Sequence, residues 1–249
     1  MNRMTDKVAV VTGGGSGFGA GIAKQFCDEG ARVALLDLNQ EAAESIAKEL
    51  GEACLAVYAD ISDNSNLSSA MDKIIDWSGK IDILVNNAGI GHEPTPLDEL
   101  SEEQFDRLFQ VNMRGIYLTS KLVVPIMKAN GKGCILNIAS TAGISPRPNL
   151  TWYNASKGWV VTATKSMAIE LAPFNIRVNA INPVAGETPL LSTFMGEDTP
   201  EMREKFLSTI PLGRFSTPED IGRAAVYLCT DESSLVTGTA LEIDGGRTI

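Results

Sequence analysis

Seven short apolar runs, separated by longer segments of helical period, constrain this chain more than any other feature. They are KVAVVTG (7–13), ARVALLD (31–37), CLAVYAD (54–60), DILVNNAG (82–89), GCILNIAS (133–140), IRVNAINP (176–183) and ALEIDGG (240–246). Their apolar residues are nearly continuous, as in strands buried on both faces of a parallel sheet. The intervening segments, 17–29, 40–50, 64–78, 101–129, 152–172 and 217–230, read as helices. Thr217-Pro218-Glu219-Asp220 opens the last with an N-cap, a first-turn proline and early acids. Strands alternating with helices form βαβ units with right-handed crossovers. The expected fold is therefore α/β, a doubly wound sheet of Rossmann type with seven parallel strands and helices on both faces. No linker or repeat divides the chain, so residues 1–249 are read as one domain. Residues 184–214 follow a strand and mix proline and glycine with polar and apolar residues, which marks a small lid over the ligand crevice.

Composition narrows the partners. Among 249 residues, 44% are hydrophobic and 21% charged, ordinary proportions for a globular chain with a sizeable core. The net charge of −10 disfavours nucleic acid and anionic membranes, because both would repel the protein. No run of 18 apolar residues suggests a bilayer span, and the N-terminus enters a strand-like run without a signal-peptide pattern. The four cysteines, Cys27, Cys54, Cys134 and Cys229, form no CxxC or His/Cys cluster. Free thiols in a cytoplasmic protein, with no metal site, are expected.

The first βα junction is VVTGGGSGFGAGIAKQF, with Thr12, Gly13, Gly14, Gly15, Ser16, Gly17, Phe18 and Gly19 between strand and helix. Glycines there let the backbone approach a pyrophosphate resting on a helix N-terminus. The spacing fits TGxxxGxG better than GxGxxG. Asp37 ends the second strand, where an acid accepts hydrogen bonds from an adenosine ribose. Its other reading is a cap for the next helix. Near an effective dielectric of 20, unit charges 4 Å apart interact by roughly 4 kcal/mol. A carboxylate at this position therefore disfavours a 2′-phosphate, and neighbouring Leu38 and Asn39 offer no cation. Arg32 stands at the wrong end of the strand to help. The expected cofactor is NAD.

With these motifs in place, the chain resembles the short-chain dehydrogenase/reductase family over its whole length. The matches, in order, are TGGGSGFG (12–19), NNAG (86–89), VNMRG (111–115), NIAS (137–140), YNASK (153–157), INP (181–183) and DGG (244–246). The resemblance implies a catalytic set of Asn112, Ser140, Tyr153 and Lys157. Tyr153 would be general acid and base, and Lys157 would lower its pKa and hold the nicotinamide ribose. Ser140 would bind the substrate oxygen, and Asn112 a relay water. Alone, Ser140 reads equally as a strand-end cap, and Asn112 as a residue satisfying backbone in a helix bend. A free tyrosine with pKa near 10 must shift by about three units to act as a base at pH 7, roughly 4 kcal/mol. One lysine at 4 Å is marginal for that, so the oxidised nicotinamide must contribute, and oxidation should quicken towards alkaline pH.

By the same matching, Gly13, Ser16, Gly17, Phe18, Gly19, Asp37, Asp60, Ile61, Asn87, Ala88, Gly89, Tyr153, Lys157, Pro183 and Thr188 would contact the dinucleotide. The family often has glycine after the proline, where Val184 stands here. Substrate residues are sought in three loops: His92 after NNAG, Thr141, Arg147 and Trp152 before the tyrosine, and the lid. His92 is also readable as a surface-loop residue. Arg147 reads as a carboxylate, phosphate or sulfonate ligand, a solvated loop cation or a subunit contact. The implied function is hydride transfer between a secondary alcohol and a ketone or lactone of a small polar sugar, polyol or hydroxy acid. A 3-oxoacyl-thioester reductase and a silent dinucleotide-binding protein are the alternatives. The family usually forms homotetramers through 101–129, 152–172 and the C-terminal segment, and Leu118, Leu122, Val160 and Met167 are apolar candidates for such contacts.

Overall fold

Each apolar run contains a strand: β1 Val8–Thr12, β2 Arg32–Asp37, β3 Cys54–Tyr58, β4 Ile83–Asn86, β5 Gly133–Ile138, β6 Ile176–Pro183 and β7 Ala240–Ile243. All pair in parallel in the order β3-β2-β1-β4-β5-β6-β7. The computed structural model describes residues 2–249, and Met1, included in the expected domain, lies outside them. The helices are α1 Gly17–Asp28, α2 Gln40–Leu50, α3 Asn64–Ser78, α4 Glu102–Phe109, α5 Gly115–Asn130, α6 Thr151–Leu171, α7 Leu190–Met195, α8 Pro200–Leu207 and α9 Pro218–Cys229. The fold is the expected single-domain, doubly wound α/β sheet.

Strand residues alternate between two apolar layers, as a period of two requires. Ala9, Val11, Val33 and Leu35 pack with Ile22 and Phe26 of α1 and Ile221 and Val226 of α9. Val10, Ala34 and Leu36 pack with Leu67 and Ile74 of α3, Leu118 and Val123 of α5, and Ala168 and Leu171 of α6. Each fully buried large aliphatic side chain contributes about 1.5–3 kcal/mol relative to exposure. The four cysteines are free thiols. Their fold neighbours are invisible in the sequence: Cys27 lies beside Cys54, and Cys134 beside Cys229.

Three expectations change in detail. The segment 101–129 is not one regular helix, because a π-helical turn, Gln110–Arg114, separates α4 from α5. One wide turn keeps the apolar periodicity nearly intact, so the pattern does not reveal it, yet it carries Asn112 inward. The segment 184–214 contains α7 and α8, with a small core of its own made by Val184, Leu191, Met195, Ile210 and Phe215. Leu118 and Val160, read as interface candidates, face the protein's own core, and Leu122 and Met167 pack partly against it. The exposed large apolar residues of α5 and α6 are instead Tyr117, Trp159 and Ile169, the last 80% exposed. Among the described residues no helix is long and apolar enough to cross a membrane. Among the described residues no group of three or more His, Cys, Asp or Glu side chains is placed to hold a metal.

Candidate active site

The strand order reverses between β1 and β4, and ligands of open α/β sheets bind outside the carboxyl ends at such a point. A cleft of about 470 Å³ opens there. Of the residues expected around the cofactor, Gly13, Ser16, Gly17, Phe18, Asp37, Asp60, Ile61, Asn87, Ala88, Gly89, Tyr153, Lys157, Pro183 and Thr188 line it. Gly19 lies beneath the loop: a Cβ there would overlap the Gly13 carbonyl oxygen and stand 2.6 Å from the Asn87 amide nitrogen.

The loop is fastened from below. Asn87 Nδ2 donates to the carbonyls of Thr12 (2.9 Å) and Gly13 (3.0 Å), while Thr12 Oγ1 accepts from the backbone N–H groups of Asn87 and Ala88. Thr12 belongs to the quoted motif, but only the fold reveals this brace. Gly13 has φ +64°, which a side chain would strain. Ser16, at the N-cap of α1, makes no side-chain cap, and the first turn holds no acid. By contrast, α2, α3, α4 and α9 are capped by Asn39, Asp63, Ser101 and Thr217. The first-turn N–H groups of α1 thus fit a pyrophosphate.

At the adenosine end, Asp37 accepts from the N–H groups of Gly15 (Oδ2) and Asn39 (Oδ1), each at 2.8 Å. It therefore both organises the loop and presents negative charge to the cleft. Arg32 is occupied elsewhere, its guanidinium stacked 4.0 Å over Trp77 and bonded to that residue's carbonyl. Asp60 accepts from Ser62, and Ile61 is buried against the position of Gly115, where a Cβ would stand 2.6 Å from it.

Near the middle, α6 brings Tyr153 and Lys157 to the ends of β4 and β5. Tyr153 is 5% exposed and lines the cleft beside Ser140. Burial pushes its pKa above the ordinary value, and the neighbouring Ser140 hydroxyl and the Arg147 charge pull it back. Lys157 Nζ donates to the Ile138 carbonyl at 2.9 Å and lies 6.0 Å from the Tyr153 ring. Desolvation pushes its pKa down to about 8. Ser140 Oγ accepts from the Ala142 N–H (3.1 Å), so the serine caps the following turn as well as lying beside the phenol. Asn112 does not line the cleft. Its Oδ1 accepts from the Ile90 N–H (2.8 Å) and its Nδ2 donates to the Ile90 carbonyl (2.9 Å) and to Ser156 Oγ (3.2 Å). A Cβ on Gly89 would touch both Asn112 Oδ1 and Lys157 Nζ at 3.4 Å, so the asparagine adjoins the lysine.

Of the substrate candidates, Thr141 and Arg147 line the cleft and His92 and Trp152 do not. His92 is buried, with Nδ1 against the Glu93 carbonyl at 2.8 Å. Trp152 is half-buried against the cluster of Leu108, Leu150 and Tyr153, donating to the Leu97 carbonyl and meeting Phe105 edge-on. Sequence reading missed Ser145, Phe194, Phe206 and Arg247, which also line the cleft. They come from the approach to the tyrosine, the lid and the C-terminal segment, and no local motif marks them.

An open parallel sheet with a glycine loop under a helix N-terminus, and a buried tyrosine–serine pair beside a lysine, defines a dinucleotide-dependent oxidoreductase. The family model described as enoyl-(acyl carrier protein) reductase matches residues 13–248. The chain is 43% identical to 4-formylbenzenesulfonate dehydrogenase of Comamonas testosteroni, covering 99% of this chain and 100% of that one. Its fold superimposes with a TM-score of 0.94 on 3-ketoacyl-(acyl-carrier-protein) reductase from Brucella melitensis complexed with NADH. That protein is 51% identical, with coverage of 99% and 100%. NAD+-bound xylitol dehydrogenase gives a TM-score of 0.91 at 30% identity, with coverage of 98% and 99%. The chain belongs to the short-chain dehydrogenase/reductase family and is an NAD(P)-dependent oxidoreductase.

Proposed function

We propose that the protein interconverts a secondary alcohol and a ketone on a small polar substrate, with NAD(H) as its cofactor. The observation that carries this reading is that Ser140, Tyr153 and buried Lys157 line the same cleft as Asp37. The cofactor supplies the hydride acceptor and donor. Ser140 holds the substrate oxygen, Tyr153 takes or returns its proton, and Lys157 supports the phenolate and the ribose. Asn112 fixes the Ile90 backbone in the loop after β4, beside Lys157, and supports the water relay. Asp37 selects NAD over NADP by repelling a 2′-phosphate. Segment 184–214 acts as the lid, with Phe194 placed 4.8 Å from the Tyr153 ring.

The relatives support the reading from two sides. A dehydrogenase acting on 4-formylbenzenesulfonate and a xylitol dehydrogenase are small-substrate enzymes. A second reading, 3-oxoacyl-thioester reduction, is favoured by the 51% identity to 3-ketoacyl-(acyl-carrier-protein) reductase, a protein solved with NADH. The homotetramer remains the expected assembly, with Tyr117, Trp159 and Ile169 as the exposed large apolar positions on α5 and α6. Assaying purified protein with NAD against sugars, polyols, hydroxy acids and 3-hydroxyacyl thioesters tests the choice. Turnover confined to thioesters would replace the first reading by the second.

A further inference from the structure

The cleft lining holds two carboxylates and, besides Lys157, three arginines: Arg107, Arg147 and Arg247. Asp37 and Asp60 are its only carboxylates among the described residues, and both stand at the adenosine end. The end beyond Tyr153 holds Arg147 and Arg247, in a chain whose net charge is −10. Among the described residues no acid pairs with either guanidinium. Arg147 lies half-buried with its guanidinium 4.8 Å over the Phe206 ring and 5.9 Å from that of Phe194. Arg247 is close enough to repel it, and its side chain makes one long hydrogen bond, 3.4 Å, to Ser145 Oγ. Two partly desolvated cations held together without a counter-ion are unfavourable unless an anion joins them.

Both arginines are also held in place. Asn154, the residue after the phenol, donates through Nδ2 to the Arg147 carbonyl at 2.8 Å, which ties that loop to α6. Asp244 accepts from the N–H groups of Gly246 and Thr248 (2.9 Å each) and from Thr248 Oγ1 (2.7 Å), closing the turn that carries Arg247. Phe194 touches both the Tyr153 ring, at 4.8 Å, and Arg147, so the cationic end is one aromatic ring away from the reacting oxygen.

We infer that the substrate carries an oxyanion group, a carboxylate, sulfonate or phosphate, a few bonds from its carbinol carbon. Arg147 and Arg247 bind that group, and Phe194 and Phe206 wall the connecting carbons. Planar guanidinium groups suit bidentate recognition of such oxyanions. This inference deepens the dehydrogenase reading of the same site and rests on it.

The test uses matched substrates with NAD: 3-hydroxybutyrate and its neutral methyl ester, with 2-hydroxypropanesulfonate and 2-hydroxypropyl phosphate separating the head groups. Wild-type kcat/KM should favour at least one anion over the ester by about tenfold or more. Arg147→Met and Arg247→Gln should each lower that ratio by about 10- to 100-fold, chiefly through KM, and Arg147→Lys should keep part of it. A wild type that prefers the ester to every anion, or a ratio unmoved by Arg147→Met, overturns the inference. A binding arm separates this from failure of the dehydrogenase reading. Acetoacetate, 2-oxopropanesulfonate and 2-oxopropyl phosphate are titrated calorimetrically into the NADH complex. Binding of one of them, weakened by salt and lost in Arg147→Met, supports the anion site even if no alcohol is oxidised. Absence of binding by all three overturns it whatever the turnover.

Discussion

The role proposed for Tyr153, giving and taking a proton, falls on a phenol that is 5% exposed, where burial favours its neutral form. Its conversion to phenylalanine should lower kcat by about 100-fold or more while leaving NADH affinity within a few-fold, measured by single-turnover kinetics and fluorescence titration. Because the phenolate is the form that accepts the alcohol proton, oxidation should rise with pH until that group is fully ionised. Lys157 illustrates a conflict between stability and activity. Its folded pKa of about 8 lies below the model-compound value of 10.5. Between these values the unfolded chain binds more protons, so this group makes stability rise with pH across that window. Below it, the buried charge costs about 3 kcal/mol, partly offset by about 1 kcal/mol from its bond to Ile138. Lys157→Met should therefore stabilise the cofactor-free protein at pH 7 by about 2 kcal/mol in urea unfolding, flatten that rise, and abolish turnover. At Asp37, replacement by alanine should weaken NADH binding by about tenfold and narrow its advantage over NADPH, read as dissociation constants. A wild-type preference for NADPH would contradict the role given to this carboxylate.

Among the elements, the glycine loop and the π turn are placed by contacts that no local pattern contains. Gly19 faces the Gly13 carbonyl so closely that an added methyl group cannot be accommodated without moving backbone. Gly19→Ala should weaken NADH binding by at least tenfold and lower the thermal midpoint by several degrees, checked by titration and calorimetry. The π turn was hidden because one wide turn hardly disturbs a 3.6-residue pattern, and only packing shows Asn112 turned towards Ile90. The segment 184–214 was legible as an insertion after β6. Its helices and its inward-facing Phe194 and Phe206 were not, because short amphipathic segments take their orientation from what they cover.

For the molecule as a whole, α1 and α9 join the first and last parts of the chain across one face of the sheet. Gly21 and Gly222 permit that approach: a Cβ on Gly21 would stand 2.5 Å from the Pro218 carbonyl oxygen, and one on Gly222 would stand 2.8 Å from the Gly21 carbonyl oxygen. Gly222→Val should overpack this contact and destabilise the protein by about 1–3 kcal/mol, seen as a lower denaturant midpoint with the slope retained. Loss through a separate early transition would instead mean that α9 unfolds independently of the sheet.

The chain's own order of residues determined the class of fold, the strand positions and the family. These depend on local chemistry: continuous apolar runs that only a sheet covered on both faces can bury, and short motifs whose spacing survives in one dimension. The sheet order, the setting of Cys27 beside Cys54 and of Cys134 beside Cys229, and the inward placement of Leu118 and Val160 were decided by the tertiary structure. So was the meeting of Arg147 with Arg247. The two arginines are one hundred residues apart in the chain, and only the folding of the loop before α6 and the turn after β7 brings both to one cleft. Sequence reading identified Arg147 as a cation near the tyrosine. Its neighbours, and the absence of an acid beside it, are properties of three-dimensional packing.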